Sequence, residues 1–381
     1  MRIITAPDSF KGSLTSVEAS QAMAAGIRRI FPQAEVIEMP VADGGEGTLA
    51  AIVRAGDGRL IYQQVQDPLG KPVTARWGLL DNNKTAIIEM AEASGLLLVP
   101  PLLRDPGITS TFGTGELIRS ALDHHVEKII VAIGGSATND GGAGMASALG
   151  VRFLDRQKKL LPPGGAALIK LADIDISGLD SRLKKTKIII ASDVKNPLCG
   201  PNGASLVYGP QKGATPASAH LLDLALAHYA RKSQTILGVD ISTQEGAGAA
   251  GGLGAGLMLF LGARFRSGID LVLDTLHFDE HLINTNLVFT GEGCTDEQTL
   301  HGKVPAGIAA RASRYNIPVI CISGSLGKMH QKIFAAGIAG AASIVSRPMT
   351  LSECMHDAYT LLTDETERVC RLLQVGTFLA K

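Results

Sequence analysis

Aromatic residues make up only 4% of the 381-residue chain, and Trp77 is its single tryptophan. That scarcity argues against a stacking platform for nucleic-acid bases. An excess of one charge is also missing. Lys and Arg together number 36, as do Asp and Glu. Nothing therefore draws the chain toward nucleic acid or an anionic membrane. The five cysteines (Cys199, Cys294, Cys321, Cys354 and Cys370) are odd in number and form no CxxC pair, which argues against a disulfide framework or a zinc ribbon. No run approaches the ~18 uninterrupted apolar residues of a membrane span. The opening "MRIITAPDSF" has no secretory apolar core. A soluble, cytoplasmic protein is the expectation. The pattern G-x-x-x-x-G-K-[ST] occurs nowhere, so any nucleotide is held without a Walker A loop.

What is abundant is glycine, 44 residues, clustered between apolar runs without a period. Clusters of that kind mark tight turns or places where a ligand approaches the backbone. Hydrophobic residues at 45% fit a packed globular protein, and the length favours two domains. "RIITA" reads as a buried strand. "TSVEASQAMAAGIRRIF" reads as a helix with a Thr15/Glu18 capping box. "AEVIEMP" is a second strand, followed by the loop "VADGGEG" and the helix "TLAAIVRA". This is βαβα grammar, which implies a parallel sheet covered by helices. From Gly58 to Ala91 the grammar changes to a three-stranded meander, turning at Asp67–Gly70 and Asp81–Asn83. Helical patterns fill roughly 215–285. The βα grammar returns in "NLVFTGEG", "PVICISGS" and "AASIVS". One sheet of the first two strands and these last three is the economical topology. The expected domains are then 1–56 with 286–381, and an inserted 57–285, with an active-site cleft between them.

Ligands of open α/β sheets sit beyond the carboxyl ends of strands. Polar, Gly-rich loops occupy such ends at Asp8-Ser9-Phe10-Lys11, Asp43-Gly44-Gly45-Glu46-Gly47, Gly134 to Gly142, Asp193 to Pro197, Thr290 to Lys303 and Ser323 to Ser325. Any one of them could be a satisfied turn; six together point to a ligand site. In "IGGSATNDGGAG", Gly134 and Gly135 would let backbone come close to an anion. Ser136, Thr138 and Asn139 would add donors at a helix N-terminus, with Asp140 as its cap. Lys11, Lys212 and Lys303 supply cations in Gly/Pro-punctuated loops. Asp193, Glu292 and Asp296 follow apolar strands and could serve Mg²⁺ or act as a base.

Two literal motif matches have poor contexts. "GAGAAG", Gly246 to Gly251, fits a dinucleotide fingerprint, but no strand runs into it. "HFDEH", His277 to His281, fits an inverted zinc-protease pattern, yet reads equally as an amphipathic helix without a third ligand.

Taken together, "APDSFKGSLT", "PVADGGEGT", "IEMAEASGL", "TSTFGTGELI", "IGGSATNDGGAGM", "SDVKNPL", "GPQKGAT", "GAAGGLGA", "TGEG" and "HGKVP" closely resemble the type-1 glycerate kinases, in family order over about residues 1 to 325. The resemblance implies a flavodoxin-like parallel-sheet domain built from both chain ends and an inserted mixed-sheet α/β domain likened to restriction endonucleases. It also implies ATP, Mg²⁺ and D-glycerate as ligands. The implied product is 2-phospho-D-glycerate, with 3-phosphoglycerate as the alternative. The chain departs from the family pattern at Ser192, Cys294, Thr295 and Glu297, where Cys, Arg, Ile and Ser are usual.

In that frame Asp193 is the expected general base, and Asp296 and Glu292 the Mg²⁺ ligands. Lys212 and Lys303 would neutralise the transferred phosphoryl group. Gly134, Gly135, Ser136, Thr138 and Asn139 would cradle phosphate or substrate carboxylate. Asp8, Ser9, Lys11, Asp43, Gly44, Gly45 and His301 complete the expected substrate and phosphate contacts. The expected assembly is a monomer or homodimer without nucleic-acid or membrane partners. A NAD-dependent hydroxy-acid oxidoreductase and a non-catalytic sugar-acid sensor are the rival readings.

Overall fold

The computed structural model describes residues 1–42, 47–55, 58–300 and 302–379. In chain order, the strands of its two main sheets are β1 (Arg2–Thr5), β2 (Glu35–Glu38), β3 (Arg59–Gln66), β4 (Pro72–Leu80), β5 (Thr85–Glu89), β6 (Lys128–Ala132), β7 (Lys187–Ala191), β8 (Arg264–Arg266), β9 (Leu287–Thr290), β10 (Val319–Ser323) and β11 (Ile338–Ser343). The helices used below are α1 (Ser16–Ile30), α2 (Thr48–Ala55), α3 (Phe112–Asp123), α4 (Ala143–Ala148), α5 (Pro216–Leu237), α6 (Ala249–Leu261), α7 (Gly268–Thr275), α8 (Val304–Ser313) and α9 (Ala358–Leu379). The chain divides into two compact units. One comprises Met1–Asp43, Ala50–Asp57 and Ser267–Lys381; the other comprises Gly44–Leu49 and Gly58–Arg266.

The first unit holds a five-stranded sheet in the order β11-β10-β9-β1-β2, parallel throughout. Numbered within the unit, that is the 2-1-3-4-5 order of flavodoxin-like folds. Parallel strands need covered faces, and these are short apolar runs of the kind such sheets require. Helix α1 starts where the sequence signals it. The Thr15 hydroxyl accepts from the Glu18 amide, and the Glu18 carboxylate accepts from the Thr15 amide. Gly26 lies where α1 meets α9; a Cβ there would stand 2.4 Å from the Thr363 carbonyl oxygen. The core of this unit runs from Ile3 and Met23 through Phe289 and Ile322 to Leu362. Strand β11 begins earlier than "AASIVS" suggests, directly after Gly337, whose φ of +97° ends the preceding turn.

Residues 267–285 pack with this first unit and not with the inserted segment that the sequence pattern assigns them to. Arg311 of α8 holds them. Its guanidinium pairs with Asp270 at 3.0 Å, Asp274 at 2.7 Å and Asp279 at 3.1 Å. Nearby, Gly307 leaves room for Ile269.

The second unit holds a six-stranded sheet in the order β8-β7-β6-β5-β4-β3. Strands β5 to β8 pair in parallel, whereas β3 and β4 form the antiparallel meander. The first turn is built by Asp67, whose carboxylate accepts from the Leu69 and Lys71 amides at 2.8 Å. The second is a left-handed run, Asp81, Asn82 and Asn83. Trp77 is fully buried and donates from Nε1 to the Ser120 hydroxyl at 3.2 Å. The helical pattern at 215–285 resolves into α5 and α6 separated by non-helical chain. Gly238, with φ +74°, stops α5 in the left-handed cap that glycine permits.

Candidate active site

In the first unit the order of strands reverses between β1 and β9. That is the switch point at which open α/β sheets form a ligand crevice. The loops leaving it are tied together by backbone. The Asp8 amide donates to the Gly291 carbonyl at 2.9 Å, and the Gly324 and Ser325 amides donate to the carbonyls of Glu292 and Gly293. The chain at Phe10–Lys11 passes close to Gly293. Asp8, Ser9, Lys11, Glu292, Asp296 and Lys303 thus share one neighbourhood. Lys11 is exposed. The Asp8 carboxylate accepts from the Ser9 amide at 2.6 Å.

Glu292 is held by protein donors. Its carboxylate is buried, and one oxygen accepts from the Thr299 hydroxyl at 2.6 Å and the Thr295 hydroxyl at 3.2 Å. The other accepts from the Lys303 ammonium at 3.2 Å. Both oxygens hold protein donors, so Glu292 supports Lys303 whether or not it also meets Mg²⁺. Asp296 differs: one oxygen accepts from the Gln298 amide at 2.8 Å, and the residue is half-buried. Among the described residues no three His, Cys, Asp or Glu side chains converge as a metal cage. A single carboxylate suits Mg²⁺ nonetheless, because that ion keeps waters and takes phosphate oxygens for its remaining positions. Thr295, at a departure from the family pattern, belongs to the set that holds Glu292. Glu297, at another, pairs with Lys332. Asp43, Gly44, Gly45 and His301 lie outside the described residues.

In the second unit, β5, β6 and β7 run in parallel with Glu89, Ala132 and Ala191 in register, so their following loops leave one edge. Asp193 lies exposed two residues beyond β7. Beyond β6 comes Gly134 to Gly142. Gly135 takes a φ of +71°, and the loop zips onto the neighbouring chain through Leu96 N to Gly135 O at 2.8 Å and Ala137 N to Ser94 O at 3.0 Å.

The helix that follows offers nothing to an anion. Helix α4 has only six residues, and its leading amides are spent: Gly142 and Gly144 donate to the Asp140 carboxylate, and Met145 donates to the Thr111 hydroxyl. The expected helix-terminus cradle is therefore replaced by an internal lock. Asp140 also accepts from the Thr111 amide at 2.8 Å, so one carboxylate ties together the starts of α3 and α4. Burial raises its pKa, and the Thr111 amide and hydroxyl, with the Gly142 and Gly144 amides, oppose the rise. Asn139 is turned inward, donating to Ser205, and Thr138 is fully buried. Among the described residues, no backbone carbonyl accepts from the amides of Gly134, Gly135 or Ser136. These remain the donors that the loop can present.

Lys212 is not the exposed loop cation that its Gly/Pro context suggests. It is 2% exposed, and its ammonium donates to Ser136 Oγ and to the Thr138 carbonyl, each at 2.7 Å. Burial pushes its pKa down to about 7, and Asp140 is the charge resisting that fall. The side chain reaches the loop from behind, through Ser136.

Glu89 escaped the sequence reading although it directly follows an apolar strand, the signal used for Glu292. Its buried carboxylate accepts from the Gly47 amide at 3.1 Å and the Leu49 amide at 3.2 Å, holding the start of α2.

The dinucleotide match dissolves in the packing. A Cβ on Gly251 would stand 1.9 Å from the Thr138 carbonyl oxygen, and one on Gly248 would stand 2.1 Å from the Pro197 carbonyl oxygen. The glycines let α6 press on the 138–142 loop; they face protein, not pyrophosphate. The "HFDEH" match dissolves likewise, since His277 pairs with Glu280 and Asp279 pairs with Arg311.

The first unit offers Lys303 on its Glu292 support, and the second offers the Gly134–Ser136 loop, whose amides meet no backbone carbonyl among the described residues, and the exposed Asp193. That is equipment for binding anions and moving a proton. Comparison with known proteins agrees in kind. The family model described as the glycerate kinase family matches residues 3–374. The "Glycerate kinase" of Bacillus subtilis (strain 168) is 49% identical over 381 residues, covering 100% of this chain and 99% of that protein. The "Glycerate 2-kinase" of Escherichia coli (strain K12) is 49% identical over 380 residues, covering 99% of each. A crystal structure described as a candidate glycerate kinase 2 from Salmonella typhimurium LT2 superposes with a TM-score of 0.90 at 49% identity, covering 99% of both chains. Glycine-rich loops at the carboxyl edges of the parallel strands of two sheets, matched along the whole length, place this chain in the glycerate kinase family.

Proposed function

We propose that this chain is a kinase that transfers the γ-phosphoryl group of ATP to the 2-hydroxyl of D-glycerate, giving 2-phospho-D-glycerate and ADP. The observation that carries the reading is end-to-end similarity, at 49% identity, to a protein named for that regiochemistry. The site chemistry supports it. Phosphoryl transfer depends on positioning and charge neutralisation more than on covalent work by the protein. Lys303, held by Glu292, and Lys11 supply charge at the switch point. The amides of Gly134, Gly135 and Ser136 would receive an anionic group of one of the substrates. Asp193, exposed at a strand end, would accept the proton leaving the glycerate hydroxyl as its oxygen attacks phosphorus and the bond to ADP breaks. Mg²⁺, when bound, neutralises charge on the nucleotide phosphates; Asp296 would hold it.

The test is a coupled ADP-release assay with Mg-ATP and D-glycerate, with the product identified by ³¹P NMR. The expected result is ADP release that requires D-glycerate and one product resonance split by a single proton, as a C2 ester requires. Splitting by two protons would mean phosphorylation at C3. No glycerate-dependent ADP release would overturn the kinase reading. Asp193→Asn should lower kcat by about 10²–10⁴-fold if Asp193 is the base.

A further inference from the structure

Lys212 is a cation buried behind the loop that the kinase reading assigns to an anion. With 2% of its surface exposed, it cannot meet a phosphate or carboxylate directly. Its partners are Ser136 Oγ and the Thr138 carbonyl, both at 2.7 Å. A carbonyl can only accept, so one ammonium hydrogen is fixed there in either protonation state. The serine bond can reverse. A charged lysine must donate to Ser136 Oγ, which leaves the serine hydrogen free to donate away from the lysine. A neutral lysine has a lone pair, and the serine can spend its hydrogen on that lone pair instead. The hydroxyl at the loop is then a donor in one state and an acceptor in the other.

We propose that Lys212 acts through Ser136 as a positioning residue, so that capture of an anion at the Gly134–Ser136 loop takes up one proton. The inference rests on the kinase reading for the identity of the anion, either the carboxylate of glycerate or a phosphate of the nucleotide. The titratable groups around Lys212 leave room for such a switch. Asp140, on the loop itself, is the carboxylate that faces it. Arg104 lies alongside at Gly213 and spends its Nε–H on the Val99 carbonyl. Tyr208, donating to Asn196, and Tyr229, packed on Gly141, are both shifted upward by burial and stay neutral. With a pKa near 7 in the unliganded protein, the lysine stands at the point where an arriving anion can charge it.

The experiment is isothermal titration of the full-length enzyme with D-glycerate alone and with Mg-ADP alone. Each runs at pH 6.0 and pH 8.5 in two phosphate-free buffers of different ionisation enthalpy. One ligand should bind with net proton uptake and about tenfold more tightly at pH 6.0, by linkage. Which ligand does so identifies the anion. The terminal phosphate of ADP titrates in the same range (~6 for a phosphate ester), so the reference is the variant, in which that part persists. Ser136→Ala should remove the protein's share of the proton uptake. Lys212→Arg, charged at both pH values, should keep binding and lose its pH dependence, which a purely structural lysine would not produce. If Lys212→Arg fails to fold, Ser136→Ala decides alone. For both ligands, a pH dependence and a proton count that are the same in Ser136→Ala as in the parent, in an enzyme that still turns over, would overturn the inference and leave the kinase reading intact. Binding that tightens as pH rises through 7 would also overturn it, since that sign belongs to a lysine acting as a base.

Discussion

At the scale of single residues, the buried lysine has a thermodynamic signature. Lys212 has a pKa of about 7 when folded against an ordinary 10.5. Between those values the unfolded chain holds a proton that the folded chain does not, so this group adds stability as pH rises and costs stability below 7. The cost approaches ~5 kcal/mol at most. Removing the side chain relieves it and strands the Ser136 and Thr138 acceptors, which takes back ~1–3 kcal/mol. Lys212→Met should therefore melt higher than the parent at pH 6, with the advantage shrinking toward pH 9. A pH-independent difference in Tm would contradict the buried-ammonium account. Glu292 and Asp296 give a second contrast. Glu292→Gln should lower kcat by about 10-fold or more through the loss of the Lys303 partner, with the Mg²⁺ concentration for half-maximal rate unchanged. Asp296→Asn should raise that concentration severalfold. A large rise in Glu292→Gln as well would show Glu292 to be a ligand too. Each of these residues stood out in the sequence because it follows a strand or sits among glycines. Whether its side chain faces a ligand or protein was not legible, because that depends on how the 290–303 loop folds back on Glu292 and, for Lys212, on Ser136 and Asp140 more than 70 residues away.

At the scale of elements, positive φ and close approach separate two kinds of glycine. Ala250, Gly251 and Gly252 form a left-handed run inside α6, with φ of 52°, 67° and 87°. Gly251 there lies against the Thr138 carbonyl. Gly238 also has positive φ, +74°, but no atom lies within 4 Å of its missing Cβ. Gly238→Ala should cost only the strain of a left-handed alanine, ~1–2 kcal/mol. Gly251→Ala should cost several kcal/mol, since strain and a backbone clash add, and it should distort the 138–142 loop. Urea unfolding of the two variants checks this; equal losses would mean that the loop yields to the methyl group. Elements with local signals were legible. The Thr15/Glu18 capping box and the meander turns rest on contacts within a few residues. The short helix α4 was not, since bonds to the Asp140 carboxylate and the Thr111 hydroxyl shape its start.

At the scale of the whole molecule, the division of the chain predicts how pieces of it behave. The second core draws its members from Val65 to Ala263, in one continuous stretch, with a complete six-stranded sheet. A fragment of residues 58–266 should fold alone, with a cooperative thermal transition by circular dichroism. A fragment ending at residue 266 but starting at Met1 should keep its first two strands unpaired with β9, β10 and β11, and so expose apolar surface to a hydrophobic dye. Loss of cooperativity in the 58–266 fragment would show that its core is incomplete. The sequence by itself determined which five strands share the first sheet, the meander and the family, because those follow from apolar periodicity, turn residues and ordered motifs along one dimension. Tertiary structure alone decided that residues 267–285 join the first unit, that Asp140 locks two helix starts, and that Lys212 is buried behind Ser136. Those outcomes turn on which side chains meet across long separations. Burial then sets their charge and hydrogen-bonding state, a property of the surroundings and not of the residue.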